Sequence, residues 1–446
     1  MSSLPEDGLA ELAAHGQWAD LPGPVREYAR ALTVDALANA VAGRSAETVA
    51  EYEAATVALA GPGQHVVCGG RPLAAWAAVG QNAYQMTVYT MCDVYRPALC
   101  HVTPEVVPAA LAAAELAGAS GRDFLLAAAL GYEVTTRVCL ALDYPAFRGR
   151  GWHSPGVAGT LGAAAAAGRL LGLDSQQMAG CLGLAGAQAA GTFAALGTVA
   201  VKFHQANGAR AGLAAAMYAA GGFAGSDQIL SAPDGGILTT YAGGGTPGRA
   251  LADLGRSWEL PVISMRCYPA ASTLQALVDC LLSAQAQTAQ RAGPVTGVLV
   301  TLPPHAFRLG NGGWDSQLAA MQSARFVTAA ALRLGSCWLD TFGPEVRGDP
   351  AITGFAGQHV AVQADQHLAE GAVRVRLRGP GGDLELGRDY PHGDSRDPLT
   401  AAEVEAKAAR CLAASLPPDR ARAALDALTS LDAAADMTAW ASTVTQ

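Results

Sequence analysis

From Pro24 to about Ala224 the chain reads as nearly unbroken helix-forming sequence whose interior positions are largely alanine and glycine. That feature constrains the fold more than any other. Small side chains let helix backbones approach closely, and a run this long must fold back on itself as a packed bundle rather than feed a sheet. Pro24 opens the first clear helix, whose apolar face comprises Ala31, Leu32, Val34, Leu37, Ala38 and Val41, and Gly43 stands where a helix closes. Further helices are predicted at about 104–117, 121–140, 156–171, 175–190 and 206–220. Asp174 and Ser226 have the character of caps, and Gly172 and Gly221–Gly222 of breaks. Residues 175–201 carry no charge and are long enough to span a bilayer. They are mostly Ala and Gly and include Gln176, Gln177 and Gln188, so one or two buried core helices are the expectation.

The texture changes near Leu260. A short VISMRCYP segment leads into a helical run to about residue 292, and in VTGVLVTLP (295–303) Val298, Val300 and Leu302 alternate as in a half-buried strand. AVRVRLRGPGGDLELGRDYP (372–391) alternates on both sides of Gly379–Gly382, a hairpin signal. A helix follows from Thr400, with Glu403 completing a capping box. The expected architecture is mostly α: a large all-helical domain, 1–260 plus 396–446, interrupted by a smaller α+β domain, 261–395. A chain of 446 residues exceeds what one core usually organises, which agrees with two domains.

Charge narrows the function classes. The net charge is −9 and no Lys/Arg run is present, which disfavours nucleic acid and anionic membrane as partners. Apolar residues make up 51% and charged residues 15%, the reverse of a disordered chain. Nine cysteines stand singly with no CxxC pair, so zinc-ribbon and thioredoxin readings fail on spacing; buried thiols of a reducing, cytoplasmic compartment are expected. The acidic N-terminal segment lacks the order of a signal peptide. Gly243–Gly245 lacks the Lys-Ser/Thr of a phosphate loop and follows no clear strand. Neither a metal nor a nucleotide cofactor is expected.

Five segments, in order, resemble the MmgE/PrpD family, which contains 2-methylcitrate dehydratase and cis-aconitate decarboxylase. They are CHVTPEVVPAALAAAELAGASGRDFLLAAALGYEV (100–134), Gly151-Trp152-His153-Ser154 with GTLGAAAAAGRLLGLD (159–174), KFHQANGARAGLAAAMYAAGGFAGSDQIL (202–230), RCYPAASTLQALVD (266–279) and RDYPHGDSRDPLTAAEVEAK (388–407). The resemblance covers nearly the whole chain. It implies a helical domain, a small α+β domain, a site between them, a homodimer, no bound metal, and a lyase that dehydrates or decarboxylates a small carboxylate. An isomerase, epimerase or cyclase using the same pocket, or a catalytically silent binding paralogue, are the alternatives.

Such chemistry needs a His or carboxylate that titrates near neutrality and cations to hold the substrate's carboxylates. His153, after Gly151-Trp152 and before an apolar helix, is the first catalytic candidate, and an ordinary loop histidine is its plain alternative. Asp93 and His101 are the second: an Asp beside a His fixes its tautomer, whereas the plain reading is a helix cap and a buried histidine. Lys202 and His204 are candidates for substrate binding, although a Lys ending an apolar run often marks where a helix meets water. Arg266 and Tyr268 stand where the family has Lys-x-Tyr-Pro, and Ser323 matches its Ser-x-x-Tyr segment; these three complete the substrate-binding set. Departures from the family pattern fall at Met91 and Val94 in its Asp-rich run, at Gln275 for a His and at Phe326 for a Tyr. Lys202 stands two residues before His204 rather than three. These changes point to a substrate other than methylcitrate.

Overall fold

The computed structural model describes residues 4–285, 287 and 293–444; the end of the helical run predicted to about 292 lies outside the described residues. The chain divides into two compact units. Met1–Val88, Cys92–Ser264 and Thr400–Gln446 form one, and Tyr89–Met91 with Met265–Leu399 form the other.

The first unit is a helical bundle. Its helices are α1 (Pro5–His15), α2 (Gly23–Gly43), α3 (Val49–Ala60), α4 (Ala75–Val88) and α5 (Thr103–Ala117). They are followed by α6 (Gly121–Leu142), α7 (Tyr144–Gly149), α8 (Thr160–Leu170), α9 (Ser175–Gly186) and α10 (Ala200–Ala220). Helix α8 is the hub, packed against α5, α6, α9 and α10, and its alanines 163–167 are completely buried. The small residues are what permit this. A Cβ on Gly162 would lie 1.8 Å from Thr135 Oγ1 and 2.5 Å from the Gly131 carbonyl, so α8 meets α6 nearly backbone to backbone. Helix α6 is long and apolar enough to cross a membrane, but 94% of its apolar window is buried inside the protein, which makes it a core helix. The C-terminal helix Ala401–Ala413 returns to pack on α2, opened by the capping box in which Thr400 and Glu403 satisfy each other's backbone N–H groups. All nine cysteines are free thiols, and eight of them are buried.

The uncharged stretch differs from the prediction. Asp174 and Gln177 form a capping box and α9 starts on schedule, but it ends at Gly186. The following segment is irregular around Gly191, whose φ of +137° only glycine adopts readily. Helix α10 then begins at Ala200, about two turns earlier than predicted, so Lys202 and His204 lie inside its first turns. The helix expected from residue 156 is preceded by a π-helical turn, Pro155–Gly159. Ser226 caps no helix; its hydroxyl accepts the Gln228 N–H at 3.2 Å in a turn.

The second unit is α+β. Its four-stranded sheet comprises β1 (Gly297–Leu302), β2 (Val360–Ala364), β3 (Val373–Arg378) and β4 (Leu384–Arg388), in the order β2-β1-β3-β4. Strands β1 and β2 run parallel, and the other pairs are antiparallel, β3–β4 being the anticipated hairpin. Val373, Val375 and Leu377 face the core while Arg374, Arg376 and Arg378 face solvent. Helix α11 (Gln275–Ser283) packs on β3 and β4, and α12 (Ala324–Leu334) packs on β2.

Candidate active site

Asp93 and His101 flank the start of α5. The Asp93 carboxylate accepts the Val102 N–H at 2.9 Å, and the N–H and hydroxyl of Thr103 at 3.0 and 2.6 Å. It is therefore the helix cap of the plain reading, satisfying donors that have no partner inside the helix. Burial, then the neighbouring Cys92, raises its pKa to about 6 despite the Thr103 bonds and His101. Asp93 does fix the His101 tautomer, but through its backbone. The Asp93 carbonyl lies 2.7 Å from His101 Nδ1, and since a carbonyl only accepts, Nδ1 carries the proton and Nε2 is the basic atom of the neutral ring. Asp93 is thus a positioning residue.

His153 is 6% exposed and sits between α7 and the π-helical turn. Its N–H bonds to the Gly191 carbonyl at 2.9 Å, and the next residue, Ser154, donates its hydroxyl to the Ala98 carbonyl at 2.8 Å. Trp152 stacks on Tyr241 with centroids 4.2 Å apart, and the Tyr241 hydroxyl donates to the Ala189 carbonyl at 2.8 Å. The irregular segment after α9 is what holds this histidine in place. Gly191 also makes room for the next group: a Cβ there would lie 3.0 Å from His204 Nδ1.

His153 Nδ1 and His204 Nδ1 are 3.2 Å apart. One nitrogen must donate and the other accept, so a single proton bridges the two rings. In the neutral pair the donor ring then presents a basic Nε2 and the acceptor ring presents an Nε2–H. The pKa of His153 lies well below the ordinary histidine value, first because burial removes the imidazolium from water, then because His101, His204, Lys202 and Arg148 add positive charge nearby. Burial lowers the pKa of half-buried His204 as well. Lys202, 5% exposed, is not a residue at the water's edge; its Nζ lies 3.5 Å from Thr87 Oγ1 at the end of α4. The first unit thus gathers His101, His153, His204 and Lys202 into one electrostatic neighbourhood.

Glu105 was not legible as part of this neighbourhood. It lies two residues beyond Thr103, fully buried, and neither carboxyl oxygen finds a partner among the described residues. Burial first, then Asp93 and Cys92, hold its pKa well above the usual carboxylate range, which favours the protonated form. The one available signal was a lone carboxylate between Pro104 and the apolar Val106-Val107.

Arg266, Tyr268 and Ser323 belong to the second unit. Arg266 is buried. The Tyr268 hydroxyl donates to Asp279 Oδ1 at 3.0 Å, and burial with the adjacent Asp279 pushes its pKa up, so this phenol is a structural donor. The Ser323 hydroxyl donates to the Gly312 carbonyl at 3.0 Å and accepts the Phe326 N–H at 3.4 Å, capping α12. Among the described residues no three His, Cys, Asp or Glu side chains converge as metal ligands.

The N-terminal domain pattern of the MmgE/PrpD proteins matches residues 7–249, and the C-terminal domain pattern matches residues 268–433. The chain belongs to the MmgE/PrpD family. This MmgE/PrpD chain is 26% identical over 457 residues to the cis-aconitate decarboxylase-like protein oryM of Aspergillus oryzae, covering 94% of this chain and 92% of that one. It is 30% identical over 281 residues to a cis-aconitate decarboxylase of Aspergillus terreus, covering 60% of this chain and 57% of that one. Against human cis-aconitate decarboxylase it is 36% identical over 146 residues, 31% of this chain and 29% of that one. Family and relatives support a lyase-type enzyme of the dehydratase or decarboxylase kind. The departures from the MmgE/PrpD pattern have structural occupations. Gln275 accepts the Cys267 and Tyr268 N–H groups and donates to the Tyr268 and Ala270 carbonyls, clamping the loop after Arg266. Phe326 packs between Trp314 and Phe342, Val94 pairs with Ser264, and Met91 is buried.

Proposed function

We propose that the protein is a lyase that removes CO2 or water from a small polycarboxylate, with His153 and His204 moving the protons and Lys202 holding a carboxylate. The observation that carries this reading is the Nδ1-to-Nδ1 contact of 3.2 Å. It supports a pair that presents one basic Nε2 and one Nε2–H while both rings are neutral, the state that the lowered pKa values of His153 and His204 favour. In a dehydration, the basic Nε2 takes the proton from the carbon beside the carboxylate. The C–O bond breaks, and the departing hydroxyl takes the other ring's Nε2 proton and leaves as water. The bridging proton then shifts from one Nδ1 to the other, and both rings end neutral with their tautomers exchanged. In a decarboxylation, the C–C bond breaks, its electron pair stays on the substrate carbon, and an Nε2–H protonates that carbon as CO2 departs; the bridging proton shifts onto the ring that gave its proton up, and a proton from solvent at the other ring's Nε2 returns both rings to neutral. Lys202, buried at the start of α10, supplies the fixed positive charge that either reaction needs on the substrate.

The test is a panel of unsaturated and hydroxylated di- and tricarboxylates, headed by cis-aconitate, followed for CO2 release and for the change in ultraviolet absorbance when a double bond forms. One member should turn over, and its turnover should survive exhaustive chelation. Loss of activity on chelation with rescue by a particular metal, or no turnover of any member, would contradict the proposal.

A further inference from the structure

On the solvent face of the second unit's sheet Arg374 is matched to Asp389 at 2.6 Å and Arg376 to Glu385 at 2.7 Å, and Arg388, on the face that packs against α11, is matched to Asp279 at 3.3 Å. Arg396 near them is held by Asp394 at 2.7 Å. Each of these four arginines is balanced by an acid, which leaves it little charge to attract a ligand. Arg148 is different. It lies in the last turn of α7 with its guanidinium carbon 3.4 Å from the centroid of the Phe193 ring, and that ring stands edge-on to His153 with centroids 6.0 Å apart. Its Nε is buried and makes no hydrogen bond, and no carboxylate pairs with it among the described residues. Arg150, two residues on, points elsewhere, to the Thr240 carbonyl at 3.4 Å.

An arginine fixed flat on an aromatic ring, with its in-plane donors unspent, is pre-organised to grip a planar anion. Arg148, Phe193 and His204 are each partly exposed, so a dissolved ligand can reach them. The positive charge beside His153, a group that gains no carboxylate partner of its own here, disfavours protonating that ring and favours an arriving anion. We infer that Arg148, braced on Phe193 beside His153, is a second carboxylate anchor, so that the site selects substrates carrying at least two carboxylates. This rests on the reading of the His153–His204–Lys202 neighbourhood as a carboxylate site. Phe193 is a positioning residue that holds the guanidinium plane.

Calorimetric titration of the full chain with tricarballylate (three carboxylates) and with butyrate (one) tests it without needing turnover. The unmodified protein should bind tricarballylate at least about tenfold more tightly than butyrate. Arg148→Gln should weaken tricarballylate binding by about 10- to 100-fold, the usual worth of a bidentate charge-assisted contact, and leave butyrate unchanged. Arg148→Lys should recover part of the loss, and Phe193→Leu should weaken tricarballylate severalfold with the melting temperature of each variant near that of the parent. If Arg148→Gln binds tricarballylate as the parent does, or loses both ligands equally, the Arg148 assignment is wrong while the carboxylate site stands. If the unmodified protein binds neither ligand, the carboxylate reading itself fails and this inference falls with it.

Discussion

Replacing His153 with alanine is expected to reduce turnover by about 10²-fold or more, the usual worth of a positioned acid or base. The loss has two sources. The reacting nitrogen disappears, and His204 loses the ring 3.2 Å away that fixes its tautomer, so the partner no longer presents a defined proton. The side chain's hydrogen bonds do not hold the backbone here. That is done by the His153 N–H on the Gly191 carbonyl and the Ser154 hydroxyl on the Ala98 carbonyl, neither of which involves the imidazole. The variant should therefore fold, with a melting curve close to the parent's. Parent-like turnover in the folded variant would remove His153 from the chemistry.

Lys202→Met should act on the other kinetic constant. The substitution keeps an unbranched side chain of similar length in the first turn of α10 and removes the charge, so packing against α4 is largely preserved. An anchoring cation lost from a buried site is expected to raise KM by roughly 10- to 100-fold, equivalent to about 1.5–3 kcal/mol, with kcat much less affected. The opposite split, a large fall in kcat at unchanged KM, would make Lys202 a proton carrier rather than an anchor.

What the sequence made legible is what neighbouring residues decide. Thr400 with Glu403, and Asp174 with Gln177, are capping boxes three residues wide, and the alternation in β3 is set by burial of one face of a sheet. The start of α10 was misplaced because Lys202 looked like the polar end of an apolar run. Its burial depends on α4, more than a hundred residues earlier, which no local pattern encodes. The same holds for the histidine pair, separated by 51 positions and brought together by the irregular segment around Gly191. Asp93 and His101 meet through the Asp93 carbonyl, a contact that their spacing in the sequence does not distinguish from a carboxylate contact. Arg148 stood in a short polar run, Arg148-Gly149-Arg150, where the stacking on Phe193 had no signature.

His153 and His204 work as a neutral pair in a positively charged neighbourhood, and the pH dependence of kcat/KM tests this most directly because that quantity reports ionisations of the free enzyme. The pair is active when neutral, so activity is lost as the pH falls through the pKa of His153. Burial and the nearby His101, His204, Lys202 and Arg148 lower that pKa well below the ordinary value of 6.5. With a substrate found in the carboxylate panel, kcat/KM should hold from pH 8 down through 6.5 and decline only at lower pH. A decline already half complete at or above pH 6.5, caused by His153 and absent from the residual rate of His153→Ala, would contradict the account.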